Sequence, residues 1–320
     1  MKWNKLLVLI TAFLLVVAAL CACSASPSEK EADIITVRVM ATQNFGQRLM
    51  FDETLEVLPG TSAMTALMKA AEVETSYGGG FVNAINGVRS GFTGSQSVKM
   101  DWFIYVNGIQ SNIGALDYKL HDGDIQHWDF HQWSFRHFIP AIVGDFPEPF
   151  VHGYGGKTDP TVIAYSENLK EDAENLERRL VRLGVSDVSI KRLGELSENE
   201  RESHNLLLLG TMDSEPISEL NKIWNRLGFF AHIENRNLLV LNAEGEVVAE
   251  YGAGVGLIQA TQSPWNPKGI GVCENVVWMV SGTDEAGVKG AIDALINHYS
   301  EFQYACAVVV VDGEIIKVPQ

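Results

Sequence analysis

The chain has 320 residues, 46% of them hydrophobic and 20% charged, with 40 Asp and Glu against 24 Lys and Arg for a formal charge of −16. That acid surplus excludes nucleic acid as a partner and any broad electrostatic hold on an anionic bilayer, since both require a basic surface. The hydrophobic fraction is that of a globular body rather than a disordered one, and the length suits about two domains.

The N-terminus carries Lys2 and Lys5, then an uncharged apolar run from Leu6 that closes on Leu20-Cys21-Ala22-Cys23. This pattern resembles a bacterial lipoprotein signal, in which residues 1–22 are removed and Cys23 becomes the lipidated first residue. The alternative is a plain transmembrane anchor, but the run falls slightly short of the ~20 residues a bilayer span needs and a polar segment follows at once. Cys21 as acceptor would place bulky Leu20 beside the cut. Removing Lys2 and Lys5 with the signal leaves 22 basic against 40 acidic side chains, a charge of about −18. The expected product sits on the extracytoplasmic face of the bacterial cell membrane. Acyl chains such as palmitate on Cys23 anchor it there, each buried CH₂ contributing ~0.8 kcal/mol. Residues 23–33 read as a polar tether.

Residues 34–138 read as a first domain. Ile35, Val37 and Val39 alternate with Thr36, Arg38 and Met40, the period of a strand with one buried face, and residues 49–57 supply a hairpin partner. Pro59-Gly60 ends the hairpin, Thr61 or Ser62 caps a helix with Met64, Leu67, Met68 and Ala71 on one stripe, and Gly78 to Gly80 stop it. Strands follow at 81–85, 102–106 and 125–133, with turns at Asn107-Gly108 and Asp122-Gly123-Asp124. A strand pair, a helix and more strands predict a β-grasp-like α+β plan. Residues 139–160, with Pro140, Pro147, Pro149, Pro160 and the cluster Gly153, Gly155 and Gly156, read as a linker.

Residues 161–320 alternate strands and helices: strands at 161–165, 185–190, 206–209, 238–241, 247–251 and 276–280, helices at 168–183, 215–227 and 284–298. This predicts an α/β domain with a mostly parallel sheet and helices on both faces. Cys273 and Cys306 are the only cysteines beyond the signal. They suit either a disulfide or two buried thiols in strands.

Several ordered motifs resemble a known family. Pro59-Gly60-Thr61-Ser62, Gly79-Gly80-Phe81-Val82, Ile85-Asn86-Gly87, Asp101-Trp102-Phe103-Ile104-Tyr105-Val106-Asn107-Gly108, Tyr118-Lys119-Leu120, Asp122-Gly123-Asp124 and Trp128 are similar to the bacterial version of the C-terminal β domain of transcobalamin and intrinsic factor. The resemblance covers about residues 34–135. It implies a domain that closes over cobalamin from one side, although nothing in this chain looks like the helical barrel that forms the opposite wall in the animal carriers. Bacterial relatives occur on surface lipoproteins. Some resemble corrinoid-capturing partners of vitamin uptake systems, and others have no known ligand.

The residues themselves offer a surface for a large, flat ligand. Aromatic side chains crowd between Trp102 and Phe135, and Tyr105, Tyr118, Trp128 and Trp133, with the Asn107-Gly108 turn, are the candidate contacts. Trp102, Ile104 and Val106 read as sheet core, while Phe103 and Tyr105 point to the opposite face. Four of the eight histidines lie within residues 121–137. On one strand His127 and His131 stand ~13 Å apart, too far to chelate one ion, but a single imidazole can take the axial position of cobalt. His131 is the first candidate and His127 the second, with a hydrogen-bonded structural role as the alternative for both.

In the second domain Trp265, stiffened by Pro264 and Pro267, is a candidate second wall or a partner contact, with a packed loop plug as the alternative. Gly252-Ala253-Gly254-Val255-Gly256 lacks the spacing of a dinucleotide site, Ser263 lacks a nucleophile elbow, and Glu198, Glu200 and Glu202 read as a solvated face. Leu208-Leu209-Gly210-Thr211 and Met279-Val280-Ser281-Gly282-Thr283-Asp284 resemble half-motifs of α/β domains in surface-layer and polysaccharide-associated proteins. The function expected is a binding protein, not an enzyme: a surface lipoprotein that holds cobalamin or a related corrinoid and presents it to a vitamin transporter. The alternative is a structural or adhesive envelope module that binds carbohydrate or protein without a small-molecule cofactor.

Overall fold

The computed structural model describes residues 33–91 and 98–320. The expected signal, Cys23 and residues 23–32 of the tether lie outside the described residues. The predicted hairpin forms: β1 (Ile35–Gln43) pairs antiparallel with β2 (Arg48–Val57), and Val37, Val39 and Ala41 are buried on one side. The Ser62 side chain accepts from the Thr65 amide at 3.2 Å and opens α1 (Ala63–Ala70), whose Ala63, Met64, Ala66 and Leu67 are buried with the hairpin's apolar face.

The helix is shorter than its glycine stop implies. β-branched Val73 and Thr75 belong instead to β3 (Val73–Ser76), which pairs with β4 (Phe81–Ile85). Gly78 and Gly79 turn the chain between them at φ of 70° and 94°. β5 (Val88–Arg89) completes this small sheet. The main sheet adds β6 (Met100–Val106), β7 (Ile109–Gln110) and β8 (Ile125–Gln132) in the order β2-β1-β8-β6-β7, with β8 parallel to β1 and antiparallel to β6. One face, with Trp102, Val106 and Trp128, shares a core with α1. The other face, with Phe103 and Tyr105, shares a core with Ile139, Ile142, Phe230, Leu257 and Val309 from the rest of the chain.

Residues 139–160 are irregular, as their prolines dictate, yet they are not an exposed connection. Ile139 and Ile142 join the core against the first sheet, and Ala141, Val143, Phe146 and Phe150 join the core of the second. Ile35–Gln320 accordingly form one compact unit.

In the second half, β9 (Thr161–Tyr165), α2 (Lys170–Arg182), β10 (Val188–Arg192), α3 (Glu198–Ser203), β11 (Asn205–Thr211) and α4 (Ile217–Lys222) alternate, with α3 a short helix where only a solvated acidic face was expected. A three-stranded meander follows, β12 (Ala231–Glu234), β13 (Asn237–Leu241) and β14 (Val247–Tyr251). Then come β15 (Gly256–Gln262), β16 (Val276–Gly282), α5 (Glu285–Asn297), β17 (Ala307–Val311) and β18 (Glu314–Val318). The seven-stranded order is β10-β9-β11-β16-β15-β17-β18. Its first four strands are parallel, but β15, β17 and β18 continue antiparallel, so the sheet is mixed rather than mostly parallel. The difference lies in β15, whose seven residues are all buried although Gln259, Thr261 and Gln262 break the apolar pattern that would announce a central strand. Helices α2 and α5 cover one face with Leu176, Leu180, Val288 and Ile292, and α4 covers the other with Ile217 and Leu220. Cys273 and Cys306 are separate buried thiols. Among the described residues, no helix is long and apolar enough to cross a membrane.

Candidate functional site

The aromatic residues expected to face a ligand are distributed among separate environments. Tyr118 and Trp128 are 2% and 3% exposed in the core with α1, whereas Tyr105, 1% exposed, lies on the opposite face of the sheet. The Tyr118 hydroxyl accepts from the Gly155 amide at 2.9 Å. Burial, with nearby Asp124, pushes its pKa far up. Asn107 is fully engaged: its amide donates to Asp124 Oδ1 at 2.8 Å and to the Gly153 carbonyl at 2.7 Å, and its carbonyl accepts from the Ile125 amide at 2.7 Å. A Cβ on Gly108 would stand 3.1 Å from the Ile142 carbonyl oxygen, so this turn is packed from outside. Trp133, half-buried, donates to Asp101 at 2.7 Å. These residues do not converge on an open groove.

His127 and His131 point to the Tyr105 side of the sheet and enter a buried polar network. Asp129 accepts four hydrogen bonds, from Thr42 Oγ1 at 2.6 Å, the Phe45 and Gly46 amides at 3.0 Å, and His131 Nδ1 at 2.7 Å. Burial works to raise the Asp129 pKa, but the His131 hydrogen bond and the surrounding positive charge outweigh it and hold the carboxyl below its ordinary range. Thr42 has one hydroxyl proton, given to Asp129, so the 2.8 Å contact with His127 Nε2 has histidine as donor. His127 Nδ1 meets Asp145 Oδ1 at 2.9 Å, so both ring nitrogens carry protons and the ring is an imidazolium. Burial opposes this charge; the Asp145 carboxylate prevails and raises the His127 pKa.

The His131 ring is stacked between Phe103 at 4.2 Å and Phe45 at 4.5 Å. The void that Tyr105, His127, His131, Tyr304 and Cys306 enclose is about 10 Å³. That is room for at most one water, against the several hundred Å³ of a small-molecule site. Both ring nitrogens of His127 and Nδ1 of His131 are engaged in this network, so both histidines have a hydrogen-bonded structural role in a space too small for a corrin. Among the described residues, no group of three or more His, Cys, Asp or Glu is placed to hold a metal ion.

Trp265 is the candidate that lines an open groove. The groove, about 420 Å³, is bounded by Leu196, Glu198, Arg201, Glu202 and Trp265, and Glu202 also lines an adjoining hollow of about 190 Å³ with Asp159, Asn266 and Asn275. The loop is set in place from both sides. Ser263 Oγ donates to the Arg201 carbonyl at 3.0 Å, Asn266 donates to Glu274 and Asn275 at 2.9 Å each, and Asn275 donates to the His204 carbonyl at 2.9 Å. The Arg201 guanidinium lies 5.4 Å from the indole centroid. Glu202 reads in the sequence as part of a solvated face with Glu198 and Glu200, while Arg201 and Asn275 carry no sequence signal that joins them to this loop.

A family model described as a domain of unknown function (DUF4430) matches residues 60–132. No curated protein matches. Among solved structures, haptocorrin in complex with Cbi is similar at 17% identity and a TM-score of 0.27, covering 35% of this chain but only 28% of that one. A protein of Ruminococcus gnavus ATCC 29149, described as a candidate metal-binding protein, is similar at 18% identity and a TM-score of 0.23, covering 31% of this chain and 97% of its own.

Proposed function

We propose that the chain is a cell-envelope binding protein, held outside the membrane by lipid on Cys23, whose ligand is a saccharide seated in the Trp265 groove. The observation that supports this reading is a contrast in exposure. Tyr105, Tyr118, Trp128, His127 and His131 are consumed by packing and hydrogen bonds, while Trp265, half-buried against the core that α4 covers, also lines a groove of ligand size with carboxylates and amides around it. A sugar ring offers an apolar CH face to an indole, and its adjacent hydroxyls suit the paired acceptors of Glu198 and Glu202. The carboxylates of Glu198, Glu202, Asp159 and Glu274 outnumber Arg201 and Lys157 around the two hollows, which disfavours a polyanionic glycan. Affinity electrophoresis in gels containing neutral polysaccharides tests the reading. Retardation of the wild type, lost in Trp265→Ala, is expected; equal mobility of the two proteins in every gel would sink it. Lipid attachment is checked separately, since Cys23→Ala should release the protein from membranes.

The second reading is cobalamin or a related corrinoid, delivered to a vitamin transporter. The transcobalamin-like motifs support it, as does the sheet order β2-β1-β8-β6-β7 with α1 on one face, which suits a β-grasp-like module. Under this reading the corrin lies against exposed edges rather than the buried tyrosines, and neither His127 nor His131 ligates cobalt. A change in the visible spectrum of cobalamin or cobinamide on titration with the protein would favour it over the saccharide.

A further inference from the structure

We propose that the crevice outside the carboxyl ends of β9, β10 and β11 is a second ligand site, shaped for a small amine-bearing polyol. The argument begins with topology. β9 and β11 are parallel neighbours. The chain leaves β9 through α2, which packs on the face that carries Ile163 and Leu207. It leaves β11 through α4, which packs on the opposite face with Val162 and Leu206. Where connections from adjacent parallel strands part to opposite faces, a gap remains outside their carboxyl ends, and ligands of open α/β sheets bind there.

Here the gap is a shallow, widely open depression of about 430 Å³, lined by Ser166 and Glu167 after β9, Arg192 and Glu195 at and beyond the end of β10, and Ser214 and Glu215 after β11. Gly210 lets the two rims approach, since a Cβ there would come within 2.5 Å of Ser166 Oγ and 3.1 Å of Ile217 Cδ1. The Ser166 and Ser214 hydroxyls stand 3.1 Å apart. They share one hydrogen bond and have no other side-chain partner among the described residues, so one hydroxyl proton and several lone pairs stay free for adjacent hydroxyls of a ligand.

Charge then selects among polyols. Arg192 is already held by Glu167 at 2.7 Å and Glu195 at 3.5 Å, and Lys222 reaches Glu215 at 3.7 Å. Three carboxylates thus face two cations, which favours an ammonium group and repels phosphate.

Glucosamine, glucose and glucose 6-phosphate are suitable probes, titrated into the soluble chain from Ser24 onward and followed by amide chemical shifts. Saturable shifts confined to residues around 166, 194 and 214 are expected with glucosamine, weaker ones with glucose and none with glucose 6-phosphate. The Ser166→Ala/Ser214→Ala pair should weaken glucosamine at least about tenfold, the worth of one to two hydrogen bonds. Glu215→Gln, a change at an exposed position that leaves the fold intact, should erase the preference for glucosamine over glucose. Trp265→Ala should leave this binding unchanged, so failure of the groove reading and failure of this one are separable. Absence of saturable shifts, shifts centred on Trp265, or equal binding of glucose 6-phosphate would overturn the proposal.

Discussion

Replacing His127 by glutamine probes the seam between the first sheet and the rest of the molecule. The imidazolium donates to Thr42 through Nε2 and to Asp145 through Nδ1, and Asp145 Oδ2 has no hydrogen-bond partner of its own. The neutral amide of the His127→Gln variant would leave the Asp145 carboxylate buried without its counter-charge. Removing one member of a buried ion pair costs about 3–5 kcal/mol, a large share of the ~5–15 kcal/mol by which a folded protein is stable. The pH dependence carries a definite sign. The folded pKa of His127 lies above its ordinary 6.5, so the stabilisation is complete below about pH 6.5 and is lost as pH rises through the folded value. Urea unfolding of wild type and His127→Gln across a pH series should show a gap that is widest in mild acid and narrows in alkali. His152, whose pKa Glu148 raises, is present in both proteins and cancels from the difference. His127→Leu/Asp145→Leu should recover much of the loss, because no lone charge remains. A gap under about 1 kcal/mol in mild acid, or one that widens with pH, would refute the imidazolium assignment.

Two other outcomes follow from the same packing. Gly46→Ala should destabilise severely, since the new Cβ would fall 1.8 Å from the Tyr304 carbonyl oxygen, whereas Gly60→Ala, at a similar φ of 81° but in open space, should cost only about 1 kcal/mol; denaturation midpoints compare the two. Cys273 and Cys306 are 4% and 6% exposed and burial raises both thiol pKa values, so an aromatic disulfide reagent should titrate no thiol in the native soluble chain and two in urea.

Elements with a strong local signal were legible in the sequence. The period-2 run from Ile35, the helix cap at Thr61 or Ser62 (Ser62 in the fold) and the helix that follows Asp284 each appear where the residues place them. What sequence could not supply was the identity of long-range neighbours. The alternation of Trp102 with Phe103 separates two faces of β6 correctly, but it says nothing of Phe230, Leu257 and Val309, which close the second face. β15 was hidden for a related reason: buried Gln262 finds its partners in the Pro140 carbonyl and the Gly271 and Cys273 amides, and none of these can be assigned to it from local sequence.

That second face decides where function can reside. From sequence, the face on which Phe103 and Tyr105 stand is one where the helix or a ligand could lie. In this chain residues 139–146 and the C-terminal strands occupy it, and His127 and His131 beneath them are paired with Asp145 and Asp129. Burying charged groups there is tolerable only because each is matched, which is why the network extends from Thr42 in β1 to Asp145 in the proline-rich segment. With that face closed, the Trp265 groove and the β9–β11 crevice are the surfaces on which we propose recognition, because their polar side chains border open hollows, whereas the faces of the sheet that carry Tyr105, Tyr118 and Trp128 are packed.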